Sequence, residues 1–339
     1  MQPIPESRCS VGNVAIQALK TAARLVLVLL AVTFAAFVLV DASPIDPVAA
    51  YVGAEAMDQM DPERLQRLKD YFDVGTPLLE RYGKWLMGIV QGDMGTSLIY
   101  RQPVMDVIWA KVGPSLALML TAWVLSGLLG FALGLVAGVN RDSFVDKLIK
   151  GFSLLMASVP TFWFAMLLLI IFSVWLQLFP IGLSTPIGVL SEDVSLADKA
   201  HHLILPALTL SIVGISSIAL STREKTVDIL EQDFVLFAKA RGDKMSSIVK
   251  NHLLRNVSLP AITLQFAAFS EIIGGSILVE QVFSYPGLGQ AVVSAGLRGD
   301  APLLLGITVV LAIMVFVGNA LADVIYGLVD PRIRRSAHV

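Results

Sequence analysis

Six stretches of this chain are apolar for long enough to be read as helices crossing a bilayer, whose hydrocarbon core of about 30 Å takes roughly 20 apolar residues. They cover residues 22–40, 112–139, 152–177, 202–221, 259–279 and 302–326. The third lies in a charge-free run, 151–191, that is too long for one helix. Pro160, Pro180 and Pro186 punctuate it, so a loop is expected after residue 177. Between the fourth and fifth stretches sits a polar insert, 223–256. Within it Val227, Leu230, Phe234 and Phe237 recur at helical spacing and predict an amphipathic helix over 227–237. Gly242 then supplies a residue that tolerates a left-handed backbone, as a helix end requires. A second helical pattern follows with Met245, Ile248, Val249, His252 and Leu253.

Ahead of the second apolar stretch runs a long polar segment, 41–111. Asp61-Pro62-Glu63 reads as a helix start with a cap, a first-turn proline and an acidic residue. Residues 78–90 place Tyr82, Trp85, Leu86 and Ile89 at helical spacing. Two or three short helices lying on the outer surface are expected here, either packing over helix ends or meeting an extracytoplasmic partner.

Composition agrees with a membrane class: of 339 residues, 55% are hydrophobic and 15% charged, against about 25% charged in soluble domains. The net charge of −2 gives no reason to expect a nucleic-acid partner. The single cysteine, Cys9, excludes an intrachain disulfide and a cysteine-based metal site, and reads as an inert residue of the N-terminal tail. Arg8, Lys20 and Arg24 ahead of the first apolar run resemble a signal peptide. The long preceding stretch and the later spans instead favour an uncleaved helix.

The placement of lysine and arginine orients the chain. With both termini inside, sixteen of the 25 basic residues lie on the cytoplasmic side, including Arg141, Lys147, Lys150, seven in the insert, and Arg332, Arg334 and Arg335. The two short outer loops carry only Lys199 and Arg298. The expected organisation is a cytoplasmic tail (1–21), a first transmembrane helix with an extracytoplasmic loop (22–111), a core (112–330) holding the cytoplasmic insert, and a second cytoplasmic tail (331–339).

Two readings of the insert follow from physics: a rigid knob on which a partner pushes, or an interfacial hairpin lying on anionic lipid. Within the spans Glu271 stands out, because an ionisable group at bilayer depth is costly and commonly functional. Gly274, Gly275 and Ser276 beside it allow close approach of a helix or a substrate. Glu271 lines a translocation pathway, attracting a cation or amino group, or hydrogen-bonds to a neighbouring subunit. His201 and His202, near Glu192, Asp193 and Asp198, are expected to be structural rather than metal-binding, and His252 to brace the insert. No nucleophile–base set is visible.

The run Asp233-Phe…Ala238-Lys-Ala-Arg-Gly242…His252-Leu-Leu-Arg-Asn…Leu259-Pro260 resembles the coupling loop of ABC importer permeases of the dipeptide, oligopeptide and nickel branch. Further along the chain, Gln91-Gly-Asp-Met-Gly-Thr-Ser97 with Gln102-Pro-Val104, Ser158-Val-Pro-Thr-Phe-Trp163 and His202-Leu-Ile-Leu-Pro-Ala207 match the same branch. So do Glu280-Gln-Val-Phe-Ser-Tyr-Pro-Gly-Leu-Gly289 and Asp323-Val-Ile-Tyr…Asp330-Pro-Arg-Ile-Arg334. The matches run in order over nearly the whole chain from about residue 20. The usual Gly-Asp-Pro after the first span is Ile45-Asp46-Pro47 here, and the acidic residue of the loop is replaced within Leu236-Phe237-Ala238.

The resemblance implies an all-α, polytopic type I ABC importer fold with six transmembrane helices in the bacterial inner membrane. It implies one of two permease subunits, paired with a similar second permease, two cytoplasmic ATPases and an extracytoplasmic solute-binding protein. Phe237, Ala238, Lys239, Ala240, Arg241, Gly242 and His252 would couple to the ATPase. ATP and magnesium would bind there and no cofactor here, in keeping with the lack of a G-x-x-x-x-G-K-[ST] loop in this sequence. A Gly/Ser-Glu-x-Ile-Gly-Gly run around Glu271 leans the cargo toward nickel or a metal chelate, with di- and oligopeptides as the alternative. A gradient-driven secondary transporter is the rival of another class; it calls for paired intramembrane charges and an inverted repeat. An intramembrane hydrolase is a weaker rival, needing a catalytic pair inside the spans.

Overall fold

The computed structural model describes residues 11–189 and 193–329, with side chains over 19–189 and 193–326. Arg8, Cys9, Glu192 and the basic residues at 332–335 lie outside the described residues. The described chain is helical, with one isolated β-bridge between Thr96 and Pro103. Four helices are long and apolar enough to cross a membrane, and two bent pairs raise the number to six. The chain divides into two compact units.

One unit holds the described part of Met1–Met105 together with Ala295–Phe316. Helix α1 (Val11–Asp41) is followed by α2 (Pro47–Val52), α3 (Ala54–Asp58), α4 (Pro62–Tyr71) and α5 (Leu78–Val90). Asp46-Pro47 starts α2 as a capped turn, the Asp46 carboxylate accepting from Val48 N at 2.7 Å. At the α4 start Asp61 stands in the cap position, but its side chain makes no cap bond.

Helix α5 lies alongside the C-terminal part of α1, between Leu30 and Asp41. Tyr82 Oη is 2.9 Å from Thr33 Oγ1 and donates to Leu30 O at 3.1 Å. Phe34 and Phe37 pack on Tyr82 with ring centroids 5.2 and 5.5 Å apart, and Arg81 pairs with Asp41. Aromatic rings with one polar handle make this favourable, because the handle finds a partner while the ring stays in apolar surroundings.

Asp300, fully buried, organises the loop that follows α5. Its Oδ2 accepts from Ser97 Oγ at 2.5 Å and Ile99 N at 3.0 Å, while Oδ1 accepts from Leu303 N at 3.2 Å. One carboxylate thus caps the last long helix, Ala301–Val329, and holds the Gly-Asp-Met-Gly-Thr-Ser loop.

The second unit is Asp106–Ser294 with the described part of Val317–Val339. Helix α6 (Val104–Val139) meets α9 (Leu196–Leu230) along a row of glycines. A Cβ on Gly130 would stand 2.9 Å from Ile218 Cβ, and one on Gly134 would stand 2.5 Å from Ala219 O. A Cβ on Gly138 would stand 2.5 Å from Thr226 Cβ. Small residues at these positions let two helix backbones approach closely where lipid offers no hydrophobic driving force.

The third and fifth spans are broken rather than continuous. Helix α7 (Phe144–Ser158) bends by 111° before α8 (Thr161–Leu168) and its π-helical continuation Leu169–Trp175. Val159 adopts an extended backbone and Pro160 stands ahead of Thr161, as the steric demand of proline on its predecessor requires. The fifth span runs from α11 (Met245–Ile248) through a π-helical turn, Val249–Leu253, into α12 (Leu254–Ala267). It then bends by 50° at Ala268 into α13 (Phe269–Val282). In an unbroken helix the Gln265 carbonyl would accept from Phe269 N. Here it accepts the Trp123 indole N–H at 2.9 Å, and the Gln265 amide donates back to Trp123 O.

Glu280, fully buried, closes the C-terminal end of α13. It accepts from Ser115 Oγ at 2.6 Å and from Gln290 N at 3.1 Å, and Ser115 Oγ in turn accepts from Leu288 N at 2.7 Å. Gly287 has no room for a Cβ between Ser115 and the carboxylate.

Candidate functional site

The polar insert is built as an extension of two spans. Helix α9 runs without interruption from Leu196 to Leu230, beyond the apolar part of its sequence. It stops at Glu231-Gln232, so the expected single helix over 227–237 is two: the end of α9, then α10 (Asp233–Ala240). Gln232 has an extended backbone there. The apolar spacing of Val227, Leu230, Phe234 and Phe237 records packing on both sides of a corner. On the far side of the turn, α11 leads straight toward α12.

A small core holds the corner rigid. Ile229, Val235, Ala238, Ile248, Leu253 and Val257 are buried together, with Phe131, Leu230 and Val249 packed on them. Gly242, at φ +85°, ends α10, donating from N to Lys239 O at 2.9 Å, while Asp243 N reaches Ala238 O at 3.1 Å. Both bonds satisfy carbonyls that the helix end leaves open.

The expected coupling residues therefore divide. Ala238 is buried inside the hairpin, whereas Phe237 is 75% exposed and Leu236, Lys239, Ala240 and Arg241 lie on the same open surface. Arg241 is tied to Asp243 at 2.9 Å. His252 lies tilted against Phe234 with ring centroids 5.8 Å apart, bridging the two arms of the hairpin.

Two ion pairs brace the base of the hairpin. Arg141 bonds to Glu231. Arg223 donates Nε to Asp146 Oδ1 at 2.5 Å and Nη2 to Oδ2 at 2.6 Å, a two-pronged contact that ties α9 to the first turn of α7. Asp146 is 2% exposed and Arg223 19%, so loss of either leaves an uncompensated charge in a dry place. Removing one partner of a buried pair costs about 3–5 kcal/mol, toward the lower end here because Arg223 keeps some water. Asp146→Ala is expected to lower the amount of folded chain in membranes, and Asp146→Ala with Arg223→Met to recover most of it. Quantitative blotting of membrane fractions checks this.

Glu271 opens α13, immediately past the bend at Ala268. It is exposed and lines a cavity of about 50 Å³ with Thr161, Leu210, Val213, Gly214, Ala268, Ile272 and Gly275. Its small neighbours differ in role. A Cβ on Gly275 would come 3.1 Å from Leu210 Cδ1, and Ser276 is buried with its hydroxyl on Ile273 O, while Gly274 faces open space.

The histidines are held by backbone. His201 Nε2 is 2.9 Å from Leu178 O and His202 Nδ1 is 3.0 Å from Gly182 O, fixing the loop after the third span to the start of α9. Asp198 belongs to a capping box with Ser195. Among the described residues no group of three or more His, Cys, Asp and Glu could hold a metal ion.

Comparison with known proteins places this architecture. The model of the binding-protein-dependent transport system inner membrane component matches residues 130–335, and that of the N-terminal part of such membrane components matches residues 17–118. The chain belongs to this family. It is a multi-pass inner-membrane permease subunit of an ABC importer, whose partners include an ATPase and a binding protein; the subunit is not itself catalytic and its family binds no cofactor. The permease is 35% identical over 311 residues to the oligopeptide transport system permease protein AppB of Bacillus subtilis (strain 168), covering 90% of this chain and 95% of the relative. It is 30% identical to the dipeptide transport system permease protein DppB of Escherichia coli (strain K12), covering 89% and 94%. Among solved structures it resembles an inward-facing MetNI methionine ABC transporter, with TM-score 0.53, 16% identity, and coverage of 67% of this chain and 97% of that one. That likeness concerns the fold. The relatives are named as peptide permeases, and nothing supports the lean toward nickel.

The hairpin and Glu271 stand out in the sequence. Trp123 and Gln265, Asp146 and Arg223, Ser115, Asp300, and the glycine row of α6 do not. The row had a visible signal, glycine at 130, 134 and 138, which is the spacing of one helix face.

Proposed function

We propose that this chain is one of two permease subunits of an ATP-driven importer for di- or oligopeptides, with both termini in the cytoplasm. Two ATPases work beneath the pair, and a solute-binding protein delivers cargo outside. The observation that carries this reading is a folded hairpin with an exposed Phe237, joined by the Glu231-Gln232 corner to α9 and, through α11 and α12, to α13, which bears Glu271. A knob of that kind transmits force, because its core and the Asp146–Arg223 pair keep it from yielding locally. ATP-driven closure of the ATPase dimer then biases the spans between two arrangements. Glu271, Gly274 and Gly275 belong to the pathway side of the fifth span in this reading, whereas Ser276 is buried against its own helix. The peptide relatives favour peptide over metal cargo, and one lone carboxylate makes a poor site for a divalent ion.

The reading is tested by reconstituting the permease pair with its ATPases and binding protein in liposomes. Dipeptide uptake is expected to require both ATP and the binding protein; uptake that proceeds without ATP rejects it in favour of a gradient-driven carrier. Phe237→Ala sharpens the test. A buried aromatic anchor at an interface is worth about 2 kcal/mol or more, and this one touches little within its own chain. Uptake per ATP hydrolysed is expected to fall at least about tenfold, with unchanged amounts of the permease in the membrane.

A further inference from the structure

We propose that the Glu271 cavity receives a primary ammonium group of the passing substrate, which for a peptide is its N-terminal amine. This deepens the peptide-importer reading and rests on it. Two broken spans meet at the cavity. The third span restarts at Thr161 after Pro160, and the fifth restarts at Phe269 after Ala268; Thr161, Ala268 and Glu271 all line the same space. Helix breaks at membrane depth persist only where protein covers the backbone or where it lines a wet cavity.

The two carboxylates of α13 are treated in opposite ways. Glu280 is buried and has its acceptors filled by Ser115 and Gln290. Glu271, among the described residues, has no hydrogen-bond or ion-pair partner, and neither has the Thr161 hydroxyl. Two residues that line a shared space thus carry, in one carboxylate and one hydroxyl, acceptors enough for two of the three N–H donors of an ammonium.

Size and charge narrow the ligand further. A water-sized group needs about 10–15 Å³ of such space, and the cavity offers about 50 Å³. It therefore takes an ammonium head and its first carbons, with Leu210, Val213 and Ile272 against the aliphatic part, and not a whole dipeptide. A single negative charge matches a monovalent cation. The absence of a metal-holding cluster among the described residues points the same way.

The experiment uses the assembled importer in nanodiscs, with Cys9→Ser as background and Val213→Cys, in the apolar lining of the cavity, as reporter. Its reaction rates with a cationic 2-aminoethyl and an anionic 2-sulfonatoethyl methanethiosulfonate are compared with and without Glu271→Gln. The cationic reagent is expected to react faster, the rate ratio to fall about tenfold in the Glu271→Gln background, and Ala-Ala dipeptide to protect the cysteine only when Glu271 is present. A ratio indifferent to Glu271, or a cysteine that neither reagent reaches, overturns the proposal. In parallel, without the reporter, Glu271→Gln is expected to lower ATP-driven Ala-Ala uptake about tenfold and Glu271→Asp to restore most of it. Loss of uptake in both variants alike assigns Glu271 to packing and also overturns the proposal. A wild-type importer that moves no dipeptide rejects the peptide reading, and the reagent ratio still decides whether Glu271 selects cationic amines.

Discussion

Replacing Gly134 by leucine is expected to remove the permease from the membrane fraction almost entirely. The first atom of any side chain there would lie 2.5 Å from Ala219 O and 2.6 Å from Thr222 Cβ. Both belong to α9, and the nearer one is backbone, so no rotamer change relieves the clash. Overpacking of this kind costs about 1–3 kcal/mol and more where backbone must move, against a total stability of roughly 5–15 kcal/mol. Prising α6 from α9 would also disturb Gly130 and Gly138 on the same face. Gly113→Leu is the control: it sits on the same helix with nothing within 4 Å of its would-be Cβ. Membrane amounts and co-purification with the ATPase measure both variants. Equal recovery of the two would mean that the glycine row does not set the spacing of α6 and α9.

Gly242→Val is expected to abolish coupled transport while leaving the chain inserted. The reason differs from that at Gly134. Space is free around Gly242, with nothing within 4 Å, but its φ of +85° is one that a β-branched residue reaches only at a cost. Left-handed backbone costs about 1–2 kcal/mol for ordinary residues, and more for valine. The hairpin core cannot absorb that strain in place, since the turn is pinned by Gly242 N on Lys239 O and Asp243 N on Ala238 O. The exposed face of α10 therefore shifts relative to α9. Uptake is expected to fall to background, with ATP hydrolysis no longer stimulated by the loaded binding protein. Gly242→Asn, which tolerates this backbone better, should retain a substantial part of the activity. Full uptake in the valine variant would show that the orientation of α10 is immaterial to coupling.

Much of this architecture is legible in the sequence, and what is missed has a common cause. The six apolar stretches, the hairpin and the turn at Gly242 are each marked by residues within a window of a few turns. The break at Ala268 carries no such mark, because alanine favours helix. It arises where the Trp123 indole takes the Gln265 carbonyl, between positions 142 apart. Ser115 with Glu280 and Ser97 with Asp300 are separated by 165 and 203 positions. Each member alone reads as an ordinary polar residue near a helix end. Likewise Val227 to Phe237 gives the spacing of one helix, and only the packing of Val235 and Ala238 on Ile248 and Leu253 shows that the chain turns a corner there.

The number and order of the spans, and the cytoplasmic side proposed for the hairpin, come from the sequence itself. Apolar length and the count of positive charges are sums over neighbouring residues, and need no knowledge of what packs on what. The tertiary structure decided the rest. It buried Ala238 and exposed Phe237, filled the acceptors of Glu280 and left those of Glu271 open, and brought two broken helices to one small cavity. Those outcomes depend on which distant groups satisfy a backbone or a carboxylate. Satisfaction of that kind is a property of pairs of positions, so no single stretch of the chain encodes it.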